Sequence, residues 1–240
     1  MRLRHGLMLA VALGATILAA GCGGGAGGGK DELVIGEYGS LTGADATFGT
    51  STKLGVDVAV AELTNDKQGK IGGCPVRVVV EDDQGKAEEA ANAVQKEINQ
   101  DRVVAVIGEV ASSRSLAAAP ICQSNGVPMI SPSSTNPKVT QVGDFIFRMC
   151  FLDDFQGHSV ALFATKTLGL KRVAILKDVK SDYSVGLTEF FTKALEEMGG
   201  TVIAVQAYSA GDQISAPSSP PSRRRSPRPS TSPATTRRWA

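Results

Sequence analysis

From Leu33 onward short apolar runs alternate with longer amphipathic ones, and this alternation leaves few folds open. "LVIGEYG", "VRVVVEDD", "VVAVIGE", "VPMISPS", "FIFRMCF", "RVAILKD" and "TVIAVQAYS" read as strands. Between them "TSTKLGVDVAVAELTND", "KAEEAANAVQKEINQ", "SSRSLAAAPICQSNG", "DDFQGHSVALFATKTLG" and "SVGLTEFFTKALEEMGG" read as helices, the first with Leu54, Val58 and Leu63 at helical spacing. Near-continuous Val/Ile strands separated by helices predict an α/β protein with a parallel sheet covered on both faces. Such sheets place their ligand contacts in loops beyond the carboxyl ends of the strands.

Two of those loops are rich in hydroxyls. "MISPSSTNP" runs from a strand into Ser131, Ser133, Ser134 and Thr135, and "IGEVASSRS" opens a helix for which Ser112 or Ser113 is the expected N-cap. Helix-start N–H groups and the positive end of the dipole favour a carboxylate without any fixed cation. The carbonyls and hydroxyls of Ser131 to Thr135 accept from an ammonium group, so a zwitterion suits the pair. The plainer reading is that these serines only cap and turn the chain.

The start of the chain is a targeting signal. "MRLRHGLMLAVALGATILAAGC" has Arg2 and Arg4, an apolar run from Leu7 to Ala20, and Gly21-Cys22. That run is short for a membrane span and has the layout of a secretory signal. The small-residue approach to Cys22 resembles the bacterial lipobox, which makes Cys22 the expected lipidation site and residues 1–22 the signal; an ordinary signal cleaved near Ala20, or an uncleaved anchor, is the alternative. Residues 23–32 then form a glycine-rich tether. Gly24 to Lys30 match G-x-x-x-x-G-K, but Asp31 stands where a phosphate loop needs Ser or Thr, and no strand precedes it.

Cysteine usage fits export. With Cys22 acylated, Cys74, Cys122 and Cys150 remain. Cys74 precedes a strand and Cys122 lies toward the end of a helix, so both are placed on the sheet's amino-terminal side as a candidate disulfide pair, with Cys150 as a buried small hydrophobe. No Cys/His spacing points to a metal, and no cofactor is implied. An enzyme is disfavoured: beyond the signal the sole histidine is His158, no G-x-S-x-G elbow surrounds a serine, and Asp82-Asp83 read as strand-end caps.

At this point the motifs look familiar. "IGEYGSLTGADATFGTSTKLGVDVAVAELT", "VVVEDDQGKAEEAANAV", "VIGEVASSRSLAAAPI", "PMISPSSTNPKVT" and "FIFRMCFLDDFQG" resemble the branched-chain amino acid-binding proteins, the leucine/isoleucine/valine receptors among the type I periplasmic binding proteins. The resemblance covers about Leu33 to Gln213. It implies two doubly wound lobes joined by a hinge, an N-terminal lobe over 33–151 and a partial second lobe over 152–213. It further implies closure over a Leu/Ile/Val-like amino acid and docking onto a membrane ABC permease. A sensor on the same fold for amides or short-chain organic acids is the second reading. Carried over residue by residue, Ser112 takes the ligand carboxylate with Ser113 beside it. Ser133 contributes its backbone, Thr135 its hydroxyl and amide, with Ser134 between them, and Phe48 and the second-lobe Tyr183 are the rings that close on the ligand.

After Gln213 the texture breaks. Residues 214–240 hold six arginines and no Asp or Glu, and Pro and Ser fill most of the rest. Composition alone reads as a disordered tail, and an arginine-rich arm for nucleic acid is the functional alternative. A third reading accounts for more. With suitably chosen codons and a one-base shift after Gln213, the tail reads DFSAQLTAIKAAKPAAVYVPGYYTEVG, a helix pattern, an apolar strand and a loop that continue the α/β cycle. On that reading the tail is a frameshift product and the second lobe is incomplete.

Overall fold

Among the described residues eight strands and five α-helices follow one another in the order that the apolar runs predict, with one short strand added. The computed structural model describes residues 32–65 and 69–212. The signal, Cys22, most of the tether, the tail and the reading-frame question lie outside the described residues.

The first sheet has the order β2-β3-β1-β4-β5-β6. Its parallel strands are β1 (Leu33–Gly39), β3 (Cys74–Asp82), β4 (Ala105–Ile107), β5 (Met129–Ser131) and, at one edge, β6 (Ile146–Arg148). The short β2 (Lys70–Ile71), which no apolar run announces, adds an antiparallel edge through a turn at Gly72-Gly73. Helices α1 (Ala46–Asn65), α2 (Ala87–Lys96) and α3 (Ser112–Asn125) make the crossovers. A second sheet pairs β7 (Arg172–Asp178) with β8 (Thr201–Tyr208), again parallel, with α4 (Asp153–Leu162) and α5 (Asp182–Glu197) beside it. The α/β class with two lobes is therefore present, with the second lobe built on two strands among the described residues.

The main core lies between the sheet and α2 and α3. Val34, Tyr38, Val106 and Met129 from the strands meet Ala90, Val94, Ala118, Ala119 and Cys122 from the helices, all buried. Small alanines on the helices let them sit close to the β-branched strands, as a dense core requires. The second lobe has its own smaller core of Ala161, Ala194 and Leu195.

The opposite faces depart from expectation. Helix α1 turns Gly49 and Val56 toward the sheet, and a Cβ on Gly49 would lie 2.0 Å from the Ser40 carbonyl oxygen. Leu54 and Val58, one turn apart, point outward, Leu63 lies on the other side of the helix axis, and each of the three is more than half exposed. Register places Val80, Glu37, Ile107, Ile130 and Phe147 in one row across the sheet on α1's side, where Ile130 and Phe147 remain exposed. On β7 and β8 half-buried and exposed residues alternate, and Leu176, Ile203 and Val205 face solvent. Coverage of both faces thus holds for only part of each sheet among the described residues.

The expected Cys74–Cys122 bridge is not formed. Cys122 is a free thiol inside the α3 core, beside Tyr38, and burial followed by the nearby Glu97 carboxyl pushes it up to about 12. Cys74 stands at the start of β3, paired with Ile71 of the edge strand. Cys150 is free and half-buried rather than fully enclosed.

Candidate functional site

Three loops leave the carboxyl ends of β1, β4 and β5 side by side, because those strands are parallel neighbours. The first carries Asp45 and leads into α1, whose first turn holds Phe48, the second leads into α3, and the third is the stretch from Pro132 to Asn136. Facing them are Phe151 and Gln156 and, from the start of α5, Ser181 and Tyr183. Together these groups line a cavity of about 530 Å³ that also touches Val110, Ala111, Ser112, Arg114, Ser133 and Thr135. Five of the seven expected ligand residues (Phe48, Ser112, Ser133, Thr135 and Tyr183) are therefore on one wall or another of a single space.

The other two do different work. Ser134 is fully buried; its hydroxyl donates to the Glu109 carbonyl at 2.9 Å and lies 2.8 Å from the Ser115 hydroxyl. Ser131 likewise donates to the Glu109 carbonyl at 2.7 Å and accepts from the Ser134 amide at 2.9 Å. These hydroxyls knot the two loops together. Ser113 points to the second lobe, where its hydroxyl accepts from the Asp182 amide at 2.8 Å. A serine run signals polar turns but not which hydroxyls the turns themselves consume.

The start of α3 also differs from expectation. Its N-cap is Ala111, with no side-chain cap, and Ser112 is the first helical residue. The first amides of a helix have no partner within it, so those of Ser112 and Ser113 are left for other acceptors. The Ser112 hydroxyl accepts from the Asn136 amide at 3.2 Å and keeps its own proton for another acceptor. Thr135 donates to Asp153 Oδ1 at 2.6 Å, which leaves its oxygen lone pairs as acceptors. Asp153 is buried; burial raises its pKa while the Thr135 hydroxyl opposes the rise.

Arg148 fixes the third loop from behind. Its Nη1 donates to the carbonyls of Ser134 at 2.6 Å and Asn136 at 2.9 Å, and its Nη2 donates to the Pro137 carbonyl at 3.2 Å and Thr140 Oγ1 at 2.8 Å. Thr135 is therefore held between two anchored carbonyls. Asn136, in turn, caps the short 3₁₀ turn Pro137–Val142 by accepting from the Lys138 amide.

A buried charge cluster under the cavity was not foreseen. Arg114 Nη1 lies 3.0 Å from Asp45 Oδ2, and Nε lies 3.0 Å from Glu109 Oε2 and 4.0 Å from Asp83 Oδ2. The Ser40 hydroxyl sits 2.8 Å from Asp83 Oδ1 and 3.0 Å from Glu109 Oε1. Burial, and then the neighbouring Glu109, raises Asp83 to about 6. A cation does therefore reach the cavity wall, but three carboxyl groups surround it and outweigh its charge. Asp82 behaves as a strand-end cap, accepting from the amides of Leu41, Thr42 and Gln84. His158 is exposed on α4, away from the cavity lining.

The ring geometry is open. Phe48 is 59% exposed and Tyr183 37% exposed, so both present faces to the cavity instead of filling it. The Tyr183 hydroxyl accepts from Gln156 Nε2 at 2.7 Å, which ties the ring's far end to α4.

Comparison with known proteins matches this arrangement to the periplasmic binding protein family over residues 32–223. A Leu/Ile/Val-binding protein of Rhizobium johnstonii is 33% identical over 183 residues, 76% of this chain and 49% of that protein. A leucine-binding protein of Thermotoga maritima is 44% identical with a TM-score of 0.71, covering 75% of this chain and 50% of that one. A branched-chain amino acid transporter substrate-binding protein of Streptococcus pneumoniae, solved in complex with isoleucine, is 32% identical with a TM-score of 0.69, covering 75% and 51%. The chain thus spans about half the length of the relatives it matches. Strand order, a cavity at the carboxyl ends of parallel strands and a match across most of the chain agree: this is a member of the periplasmic binding protein family.

Proposed function

We propose that this chain is the ligand-binding portion of a substrate-binding lipoprotein that serves an ABC importer for branched-chain or related aliphatic amino acids. It acts by binding and carries out no reaction. The observation that supports this most is the convergence of Ser112, Ser133, Thr135, Phe48 and Tyr183 on one cavity with no free charge. A ligand carboxylate meets the Ser112 hydroxyl and the uncapped first amides of α3, where the helix dipole favours an anion. Its ammonium group meets the Ser133 carbonyl and the Thr135 oxygen, and its aliphatic part lies among Phe48, Phe151 and Tyr183. The solved relative bound to isoleucine supports the ligand class.

In this reading the protein is exported, held at the membrane by acylated Cys22 and the following glycine tether, and docks onto a membrane permease. The tail from 214 to 240 is the product of a one-base deletion after Gln213, so the restored gene product carries the remainder of the second lobe. Nucleotide sequence across Gln213 tests that directly: bases whose shifted frame does not read DFSAQLTAIKAAKPAAVYVPGYYTEVG refute it.

Calorimetric titration of the restored product with leucine, isoleucine and valine, beside amides and short-chain organic acids, tests the binding role. Thr135→Val keeps the side chain's shape and removes its hydroxyl, so affinity should fall by about 1–3 kcal/mol as a charged group loses a partner. Silence toward every amino acid refutes the assignment.

A further inference from the structure

The Ser113 hydroxyl, expected at the ligand, instead crosses to the second lobe, and it does not cross alone. Asp182, the first residue of α5, is held by both of its backbone polar groups. Its N–H donates to Ser113 Oγ at 2.8 Å, and its carbonyl accepts from Asn136 Nδ2 at 2.8 Å. Both partners belong to the first lobe, one from the start of α3 and one from the end of the hydroxyl loop. Gly186, one turn further along α5, makes room for the second of them, since a Cβ there would lie 2.9 Å from Asn136 Nδ2. The residue after Asp182 is Tyr183, whose far end is tied to Gln156.

We infer that Ser113 and Asn136 are positioning residues: by clamping Asp182 they hold the start of α5 against the first lobe and set the Tyr183 ring across the cavity. The physical need is clear. The starts of α3 and α5 meet here, and both are the positive ends of helix dipoles. An acceptor between them offsets that repulsion, and the Ser113 oxygen supplies it. The amide of Asp182 has no acceptor within α5, as for any first helical residue, so its bond to Ser113 replaces a bond to water and reports directly on the clamp. The inference rests on the proposed binding role only for what the ring covers; the clamp itself needs no ligand.

Amide hydrogen exchange on the ligand-free chain, read at single residues, tests it. The Asp182 amide should be protected although it opens a helix. Ser113→Ala removes the acceptor and should raise Asp182 exchange about two- to tenfold, the range expected for one lost hydrogen bond. Asn136→Asp keeps the acceptor used by the Lys138 amide but removes the donor to Asp182, and Gly186→Ala intrudes on the same contact. Both should produce the same rise. The Val185 amide, bonded to Ser181 O within α5, should stay unchanged as an internal control. Nitration of Tyr183 should quicken in all three variants as the ring loses its seat. An unprotected Asp182 amide in the parent chain overturns the inference, and so does exchange unaffected by Ser113→Ala or Tyr183 reactivity unmoved when exchange rises. Failure of amino-acid binding with an intact Asp182 signal would condemn the ligand assignment alone.

Discussion

Glu97 is fully buried at the end of α2, with neither carboxyl oxygen hydrogen-bonded to a side chain or backbone group in good geometry. It fits only because β1 carries Gly36 opposite, where a Cβ would lie 2.5 Å from Glu97 Oε2. Burial, then Glu81 and Asp101, raises its pKa from 4.5 to about 8, against a small opposing contribution from the Glu37 backbone. The group is therefore neutral in the native state at neutral pH and ionised in the unfolded chain. From about pH 4.5 to about pH 8 the unfolded state binds fewer protons, so this group lowers stability as pH rises and its effect levels off above its folded pKa. At about 1.4 kcal/mol for each tenfold difference in proton affinity, the full loss is at most roughly 5 kcal/mol. Glu97→Gln keeps the shape and cannot ionise. Urea unfolding of both proteins from about pH 5 to about pH 9 should show the variant gaining on the parent by up to about 1.4 kcal/mol per pH unit below pH 8, then holding a constant lead. Asp83, raised to about 6, bends both curves alike and cancels in the difference, whereas Glu37, raised to about 7, acts on Glu97 directly and spreads the step over a wider pH range. A stability difference that stays flat with pH, or shrinks as pH rises, would show that Glu97 is already ionised in the native protein and would refute the reasoning.

Arg148→Met should cost about 2–4 kcal/mol in urea unfolding, because three loop carbonyls and Thr140 lose a charged donor together, and Arg148→Lys should recover only part of it. Leu54→Gln should change unfolding by no more than about 0.5 kcal/mol, since that face of α1 meets solvent; a loss above about 2 kcal/mol would mean the face is covered. Cys122, buried and with its pKa pushed up to about 12, should resist thiol reagents in the folded protein and react only in denaturant, whereas a bridge to Cys74 would keep it silent in both.

Strand identity and order of elements were legible because parallel strands buried between layers must be apolar at nearly every position, and such runs stand out. The gathering of the candidate loops around one cavity was legible for the same reason: parallel strands bring their carboxyl ends to one edge, so loops far apart in sequence become neighbours. Three things were not legible. Leu54 and Val58 mark one face of α1 as apolar but carry no information about what covers it. Glu37 and Glu97 look like ordinary surface acids, because periodicity cannot reveal that one lies under α1 and the other against Gly36. The side chains that hold the cavity walls together, Arg148 and Arg114, reach carbonyls 11 to 14 residues away and Asp45, Asp83 and the Gly85 carbonyl 29 to 69 residues away respectively, beyond any local pattern.

The hydroxyls at the site divide by what their protons and lone pairs already do, and that division bears on selectivity. Ser115, Ser131 and Ser134 are committed to the Glu109 carbonyl, so the loops are fixed before anything enters the cavity. Ser112 keeps a proton to give, and Thr135, having given its own to Asp153, keeps lone pairs to accept with. One position therefore favours an anion and the other a cation, and Arg114 adds no net attraction because Asp45, Asp83 and Glu109 enclose it. A simple anion would satisfy only the first position and leave the Thr135 oxygen without a donor, while a simple cation would leave the start of α3 unmet. Unmet polar groups at an enclosed contact are costly, so under the proposed binding role discrimination would come from fixed dipoles instead of bulk charge. A molecule carrying both signs a few bonds apart meets both requirements at once.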